Sequence, residues 1–386
     1  MKENTGFKLI LKKALSAILL FLLPAFFLSC TRTLPKSDSP LQLEGYNYEK
    51  SLLLYYAKEF KIDQYSSGAY LVTVAGSDRY LLLPKEAAIP KNLPAQVAVI
   101  SLPVSNVYLC ASSAMALWNR LDSLDSIKFS AVQKKDWYVE SALQAMEDGR
   151  IIYAGKYNAP DFELLLKENC PLAIESTMIY HTPQIKEKLE SLGIPVFVDK
   201  SSYEENPLGR MEWIRLYALM CGKLEQAENF FDEQVSKIQS TVTSQKSAPK
   251  SVAFFYINAT GMVVVRGSED YIVKMIEMAG GDYTFKNTRK TSSPSVSVSM
   301  EQFYAQCADA DILIYNSSID NTLHSKADLL SKSPLFADFK AVQNGEIWTT
   351  GKYLYQATDR IGDMILDLSA IINGQAENLT FLERVE

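Results

Sequence analysis

A periodic pattern of apolar and polar side chains extends from Lys223 to Gln245. Apolar residues recur there every three or four positions, which predicts one amphipathic helix with a single buried face. The apolar positions are Leu224, Ala227, Phe231, Val235, Ile238 and Val242. At about 1.5 Å per residue this helix spans roughly 30 Å, the width of a small domain. Gly222 before it and Pro249 after it are typical of helix boundaries. We interpret residues 223–245 as a helix connecting two domains; a helix inside one large domain is the alternative.

Short, fully apolar runs alternate with amphipathic segments on both sides of this helix. Such runs are typical of strands buried in a parallel sheet, and their alternation with helices predicts strand–helix–strand units. In the first half we predict strands at 97–100, 128–132, 172–175 and 195–198, and helices at 107–121, 161–167, 182–192 and 207–221. In the second half we predict strands at 252–257, 262–265, 311–315 and 346–348, and helices at 269–278, 300–306 and 357–372. The pattern therefore predicts one α/β lobe at 97–222 and another at 250–375.

The segment before the first lobe has a different pattern. Residues 46–96 contain short β-type runs, such as 69–74 and 80–83, separated by turn residues. They predict a small β-rich extension without chemistry of its own. Residues 30–45 contain proline and serine and lack periodicity, so we predict a linker there.

The N-terminus carries a targeting signal. Four lysines precede an apolar run at 14–28, and a small residue, Ser29, stands before Cys30. This order describes a signal peptide at 1–29, and the run is shorter than the roughly 20 residues of a membrane span. Cys30 after Ser29 resembles the lipobox of bacterial lipoproteins, although Phe27 replaces the usual leucine. The resemblance implies that Cys30 is lipidated; a soluble secreted protein with a chance cysteine at this place is the alternative.

Composition excludes several classes of function. A net charge of −6 without a basic stripe argues against nucleic acid as a partner. Two histidines and the lack of a Cys-x-x-Cys pair argue against a metal site built from side chains. No nucleophile elbow, phosphate-binding loop or dinucleotide fingerprint occurs, so we predict neither catalysis nor a cofactor. For the remaining cysteines, disulfides and buried free thiols both stay open. They are Cys110, Cys170, Cys221 and Cys307.

The two lobes contain a matched pair of segments. Glu163 and Glu301 each lie in the first turn of a short predicted helix, eleven residues before an isoleucine of a buried strand. The helix dipole favours an acidic residue there, which alone could explain its type. The functional interpretation is that equivalent faces of the two lobes each present one carboxylate to arginines of a partner.

Several segments, taken in order, resemble the periplasmic iron-siderophore and cobalamin-binding proteins that supply ABC importers. The resemblance covers roughly residues 97–373, and Cys170-Pro171 departs from the usual Pro-Asp. It implies two Rossmann-like lobes joined by a long rigid α-helix, and docking of Glu163 and Glu301 onto the permease. The segments are VAVISLP (97–103), DFE (161–163) leading into PLAI (171–174), KLESLGIPVFV (188–198), LMCGKLEQAENFFDEQVSKI (219–238), IEMAGGDYTF (276–285), SMEQ (299–302) and ADILIY (310–315).

In two-lobed α/β proteins the ligand lies among loops at the carboxyl ends of the strands. Aromatic and basic side chains are frequent in these predicted loops, which suits a bulky, often anionic chelate. The candidates are Trp137, Tyr138, Tyr180, Tyr203, Arg266, Lys352 and Tyr353. Arg266 is the first choice, because it directly follows a strand and precedes a Gly-Ser turn. Tyr180-His181 also allows a haem-ligand interpretation, with a helix-entry histidine as the alternative.

Together these observations predict the substrate-binding lipoprotein of an ABC importer, a monomer anchored in the cell envelope. It would capture a ferric siderophore or another iron chelate; corrinoid and haem are alternatives of the same type. A chelatase-like enzyme and a structural envelope lipoprotein are alternatives from other classes. Because the connection is a single helix, we expect a largely preformed cleft with little closure.

Overall fold

The structure is a computed structural model that describes residues 39–243, 248–285 and 295–386. The predicted signal peptide, Cys30 and most of the predicted linker lie outside these ranges. Residues 42–386 form one unit. In the described part of the chain, no helix has both the length and the apolar character needed to cross a bilayer.

The N-terminal extension is a mixed sheet. Its strands are β1 (Tyr48–Ser51), β2 (Phe60–Tyr65), β3 (Ala69–Val74), β4 (Asp78–Pro84) and β5 (Val97–Leu102), adjacent in that order. Consecutive strands are antiparallel except β5, which runs parallel to β4. The predicted strand at 97–100 is confirmed, but its assignment to the first lobe's sheet is wrong, because β5 hydrogen-bonds to β4 along its whole length.

The first lobe contains a parallel sheet with the strand order β12-β11-β6-β7-β8. Its elements are β6 (Val107–Leu109), α1 (Met115–Arg120), β7 (Ile127–Ser130), α2 (Glu140–Glu147), β8 (Ile152–Tyr153), the small hairpin of β9 (Gly155–Lys156) and β10 (Ala159–Pro160), α3 (Phe162–Lys167), β11 (Ala173–Ser176), α4 (Pro183–Ser191) and β12 (Val196–Asp199). The helix predicted at 107–121 is wrong in its first part. Val107–Leu109 is fully buried on both faces and forms the central strand β6, so its apolar run is that of a strand.

The extension is part of the first lobe's hydrophobic core. Phe60, Val72 and Leu82 of the extension share one buried cluster with Val107 and Leu117 of the lobe. The Tyr80 hydroxyl also accepts a hydrogen bond from the N–H of Val198 in edge strand β12, at 3.2 Å. This bond satisfies one backbone N–H of β12, the edge strand of the first lobe's sheet.

Three helices lead from the first lobe to the second: α5 (Pro207–Glu212), α6 (Ile214–Cys221) and α7 (Leu224–Thr243). The single helix predicted at 207–221 is interrupted at Trp213, whereas the long connecting helix is confirmed. Gly222 between α6 and α7 has a φ of 71°, a left-handed conformation that glycine adopts at little cost. Along the buried face of α7, Ala227 enters the core of the first lobe and Phe231 and Ile238 enter that of the second.

The second lobe contains a mixed sheet in the order β16-β14-β13-β17-β18-β19, with β15 also paired to β13. Its elements are β13 (Ser251–Ile257), β14 (Val263–Arg266), α8 (Tyr271–Met278), β15 (Asp282–Tyr283), β16 (Ser295–Val298), α9 (Met300–Cys307), β17 (Ile312–Tyr315), α10 (Lys326–Lys332), α11 (Lys340–Asn344), β18 (Ile347–Thr349), α12 (Ile361–Ile372) and β19 (Glu383–Arg384). The central strands β13, β17 and β18 are parallel. The fold is thus α/β, with two lobes joined by a long helix.

Candidate functional site

A cavity of about 850 Å³ lies between the two lobes. The first lobe contributes the end of α1 and the segment from Tyr138 into α2, and the second contributes residues 353–360. Tyr138 follows β7 and Gln356 follows β18, so both lie beyond the carboxyl ends of parallel strands, where ligands bind in open α/β sheets. Its lining includes Arg120, Tyr138, Glu140, Tyr353, Gln356, Asp359 and Arg360.

An ion pair joins the lobes at this cavity. Arg120 of α1 donates from Nη2 and Nε to Oδ2 of Asp359, at 2.8 and 3.2 Å. The two residues are 239 positions apart in the chain. The Arg120 guanidinium also lies over the Phe230 ring of the connecting helix, 5.0 Å from its centroid. A residue of the first lobe, one of the helix and one of the second lobe therefore meet at one point.

A second polar connection is made by Gln356. Its Oε1 accepts from the backbone N–H of Tyr138 at 2.8 Å, and its Nε2 donates to the carbonyl oxygen of Asp136 at 2.8 Å. Both partners belong to the segment between β7 and α2. Both the oxygen and the nitrogen of the amide are therefore hydrogen-bonded, and the side chain connects the two lobes at the cavity.

The charges at the cavity are unequally exposed. Asp359 is 6% exposed, whereas about 44% of the Arg120 side chain is exposed. Burial raises the pKa of the Asp359 carboxyl, and the guanidinium groups of Arg120 and Arg360 oppose part of that rise. Arg360 donates from Nε to Asp363 at 3.2 Å and lies 5.0 Å over the Phe381 ring. Two partly exposed guanidinium groups thus face the cavity, together with the exposed carboxylate of Glu140.

Two of the predicted ligand-binding residues do line this cavity. Tyr138 is exposed on the side of the first lobe, and Tyr353 lies on that of the second. The Tyr353 hydroxyl donates to the carbonyl oxygen of Thr380 at 2.9 Å, which holds the ring in place. Two aromatic rings on opposite walls suit a ligand with extended apolar surface.

The prediction that Trp137 binds the ligand is wrong. Its side chain is buried in the first-lobe core, and its indole N–H donates to Ser130 Oγ at 3.1 Å. A ring in that position cannot stack on a ligand. Neighbouring residues of an extended segment point in opposite directions, so Tyr138 faces the cavity while Trp137 faces the core.

The other predicted ligand-binding residues do not line this cavity. The Arg266 side chain, first choice from the sequence, is largely buried, with Asp270 3.7 Å away and the Tyr355 hydroxyl as hydrogen-bond partner. Tyr180 lies 5.4 Å from the Lys200 ammonium, which pairs with Asp78 of the extension at 3.0 Å. The remaining two, Tyr203 and Lys352, are exposed.

Glu163 and Glu301 are both exposed in the first turns of α3 and α9. Asp161 caps α3 by accepting from the N–H of Leu164 at 3.0 Å, and Ser299 caps α9 through a capping box. Each helix precedes a central parallel strand, β11 or β17. Because such a helix runs antiparallel to the strand that follows it, its N-terminus lies at the carboxyl edge of the sheet, the side of the cavity. A hydrogen bond from Ser299 lowers the pKa of the Glu301 carboxyl.

Arg120, Asp359, Arg360 and Gln356 were not found from the sequence. Arg120 is the last residue of a short helix, whereas the residues predicted to bind ligand all lie in predicted loops. The last candidate predicted in this part of the sequence, Tyr353, lies three residues before Gln356. The signal for the three residues of the second lobe is their position within eleven residues after β18, the last of the parallel strands.

The described residues contain no group of three or more histidine, cysteine or acidic side chains placed to hold a metal ion. Within the same ranges the cysteines are free thiols, and three of the four are buried. Burial raises the pKa of the Cys307 thiol to about 11, and that of the Cys170 thiol likewise to about 11. These thiols are therefore core residues and not reactive ones.

A cavity between two α/β lobes joined by one long helix, lined by aromatic, amide and guanidinium groups, defines a two-lobed ligand-binding protein. Residues 118–354 match the family model described as periplasmic binding protein, which is more than half of the chain. The chain belongs to this family. It is therefore a binding protein and not an enzyme.

The chain is also similar to curated relatives and to solved structures. The chain is 25% identical over 348 residues to an uncharacterized lipoprotein of Methanocaldococcus jannaschii, covering 84% of this chain and 82% of that protein. It is similar to the periplasmic heme binding protein HutB of Vibrio cholerae, with a TM-score of 0.57 at 18% identity over 69% of this chain and 97% of that chain. It is also similar to the periplasmic vitamin B12 binding protein BtuF of Vibrio cholerae, with a TM-score of 0.51 at 15% identity over 72% and 99% of the two chains. At these identities the structural likeness concerns the fold.

Proposed function

We propose that this chain is the substrate-binding lipoprotein of an ABC importer, and that it captures a ferric siderophore or another iron chelate between its lobes. The observation that carries the proposal is the 850 Å³ cavity, which is lined from both lobes by tyrosine, amide and arginine side chains. A volume of this size accommodates a ligand of several hundred daltons. The names of HutB and BtuF support a metal-containing ligand, since those proteins bind heme and vitamin B12.

Capture requires no chemistry on the ligand. The walls of the cavity offer stacking surfaces at Tyr138 and Tyr353 and charge-assisted hydrogen bonds from Arg120 and Arg360. These groups can hold a chelate that already surrounds its metal. The remaining predicted ligand residues, Arg266, Tyr180, Tyr203 and Lys352, stay candidates for contacts made outside this cavity.

The ligand class is tested by quenching of intrinsic fluorescence on titration with ferric siderophores, cyanocobalamin and haemin, each beside its metal-free form where one exists. Trp137 lies directly before Tyr138 and would report on occupancy. We expect a ferric chelate to bind with micromolar affinity or better, and Tyr138→Ala to weaken binding about tenfold, the order of one lost stacking contact. Tyr48→Ala in β1 is the matched control, since that tyrosine is exposed and lies in the extension. If only cyanocobalamin or only haemin binds saturably, that compound and not an iron chelate is the ligand. If no compound in the panel binds, a structural lipoprotein is favoured.

Delivery would use Glu163 and Glu301 as two exposed carboxylates that pair with permease arginines. We expect the double charge reversal Glu163→Lys with Glu301→Lys to abolish uptake in cells while ligand affinity in solution stays unchanged. Reversing Glu187 and Glu377, which are equally exposed, is the control for net charge. A loss of ligand affinity in the first double variant would refute the docking role.

Anchoring is proposed at Cys30, and the relatives named lipoproteins support it. Cells that express the chain and its Cys30→Ser variant are labelled with a radioactive fatty acid. Label in the parent chain but not in the variant is the expected result. Equal labelling of both would place the lipid elsewhere, and a lack of label in both would favour a soluble secreted protein.

A further inference from the structure

The ion pair between Arg120 and Asp359 has unusual geometry for so buried a carboxylate. Both Nε and Nη2 of Arg120 converge on the single oxygen Oδ2. The favourable arrangement for arginine and a carboxylate is two parallel hydrogen bonds to two oxygens. A free carboxylate could accept these two hydrogen bonds with two oxygens, which Asp359 does not do.

The Arg120 guanidinium is held in position and is accessible to a ligand. The Phe230 ring supports it from one side, and the carbonyl of Arg120 accepts from Nε2 of Gln226 at 3.2 Å, so the connecting helix holds both ends of the residue. About 44% of the side chain is exposed, and the residue lines the cavity. The guanidinium can thus exchange its partner without leaving its place.

Asp359 keeps a second cation nearby when Arg120 turns to another partner. Arg360 is its neighbour in the chain and acts on the same carboxyl. A buried carboxylate without any cation would be strongly unfavourable, and Arg360 reduces that penalty. The further charged groups at this corner are Asp363, which pairs with Arg360, and Glu140 on the opposite wall.

We propose that Arg120 anchors a carboxylate of the ligand, and that Asp359 occupies the guanidinium as an internal substitute for that carboxylate while the cavity is empty. The inference rests on the proposed function in so far as the natural ligand enters this cavity. It adds that the ligand is an anionic, carboxylate-bearing chelate. The cavity would then favour anionic ligands, because only an anion can take the place of the Asp359 carboxylate at the Arg120 guanidinium.

The test uses iron-free citrate as a probe in isothermal titration with the folded chain. Asp359→Asn retains the shape of the side chain and frees the guanidinium, so we expect it to bind citrate at least tenfold more tightly than the parent chain. Arg120→Met should remove citrate binding, and the double variant should behave like Arg120→Met. Glu140→Gln is the matched reference, because it removes one negative charge from the same cavity but releases no arginine. The tightening in Asp359→Asn must clearly exceed that in Glu140→Gln.

A second pair of probes separates this inference from the proposed function. Ferrioxamine B acylated with succinate carries a free carboxylate, whereas the acetylated form has the same ferric centre and no carboxylate. We expect Arg120→Met to weaken binding of the succinyl form by about 10- to 100-fold, which corresponds to about 1.4–2.8 kcal/mol, and to change that of the acetyl form less than threefold. Equal effects on both forms, or no citrate binding by Asp359→Asn, would overturn the anchoring role. If citrate behaves as expected but no ferric chelate in the panel binds, the proposed function fails while the inference on Arg120 stands.

Discussion

Glu175 provides the sharpest test of how the first lobe is built. It lies in β11, an inner strand of the first lobe's sheet, and is fully buried. Neither carboxylate oxygen has a hydrogen bond of normal geometry to a described residue, and the thiol of Cys110 lies beside it. Burial raises the pKa of Glu175 from its usual 4.5 to about 7, and the Cys110 thiol opposes part of that rise. Folding of the lobe therefore favours the protonated form of this carboxyl group over the ionised form.

The consequence for stability follows from proton linkage. Between pH 4.5 and about 7 the folded chain keeps a proton on Glu175 that the unfolded chain releases, so stability falls as pH rises through this window. Below the window both states are protonated and above it both are ionised, so the contribution is constant there. A shift of this size corresponds to about 3 kcal/mol, at about 1.4 kcal/mol per pH unit.

The perturbation is Glu175→Gln, a close isostere of the neutral acid. We expect it to be within about 1 kcal/mol of the parent chain at pH 5 and to be more stable by about 3 kcal/mol at pH 8. The assay is urea unfolding followed by tryptophan fluorescence, because Trp118, Trp137 and Trp213 all lie in the first-lobe core. Glu187→Gln is the control, since that glutamate is exposed on α4.

A difference between parent and Glu175→Gln that stays constant from pH 5 to pH 8 would refute the reasoning. It would mean that water or a rearranged neighbour solvates the carboxylate. A variant that is less stable at every pH would show that the carboxyl makes a contact that glutamine cannot reproduce.

Three further substitutions test the packing. Glu212 accepts from the backbone N–H groups of Tyr55, Tyr56 and Ala57, so Glu212→Ala should cost at least about 3 kcal/mol in urea unfolding, and an unchanged midpoint would show that water replaces it. Phe231→Ala empties a buried site on the connecting helix and should cost about 3–5 kcal/mol, whereas replacement of the exposed Glu233 by alanine should cost less than about 0.5 kcal/mol. Gly155 has a φ of 84°, and a methyl group there would overlap the carbonyl oxygen of Ala159, so Gly155→Ala should lower the melting temperature by several degrees; a wild-type value would show that the β9–β10 hairpin can shift.

Elements with a clear period were predictable. The start of the connecting helix was found within one residue, because only a surface helix gives an apolar residue every three or four positions over this length. The helices carrying Glu163 and Glu301 were also found, because each has a capping residue before it and a buried strand after it.

Fully apolar segments were less predictable. Val107–Leu109 has no periodicity that separates a buried strand from a buried helix, and the helix prediction there was wrong. Val97–Leu102 was correctly predicted as a strand but was assigned to the wrong sheet. The apolar pattern of a strand does not indicate which other strand it hydrogen-bonds to.

The sequence by itself determined the α/β class, the long connecting helix, the β-rich extension and the two exposed glutamates, since each depends on the order of neighbouring residues. Only the tertiary structure decided that the extension completes the first lobe's core, that Trp137 turns inward while Tyr138 faces the cavity, and that Arg120 meets Asp359. Those outcomes depend on which distant segments share a surface. Local periodicity carries no information on that, because the same amphipathic face can be buried by any partner of matching shape.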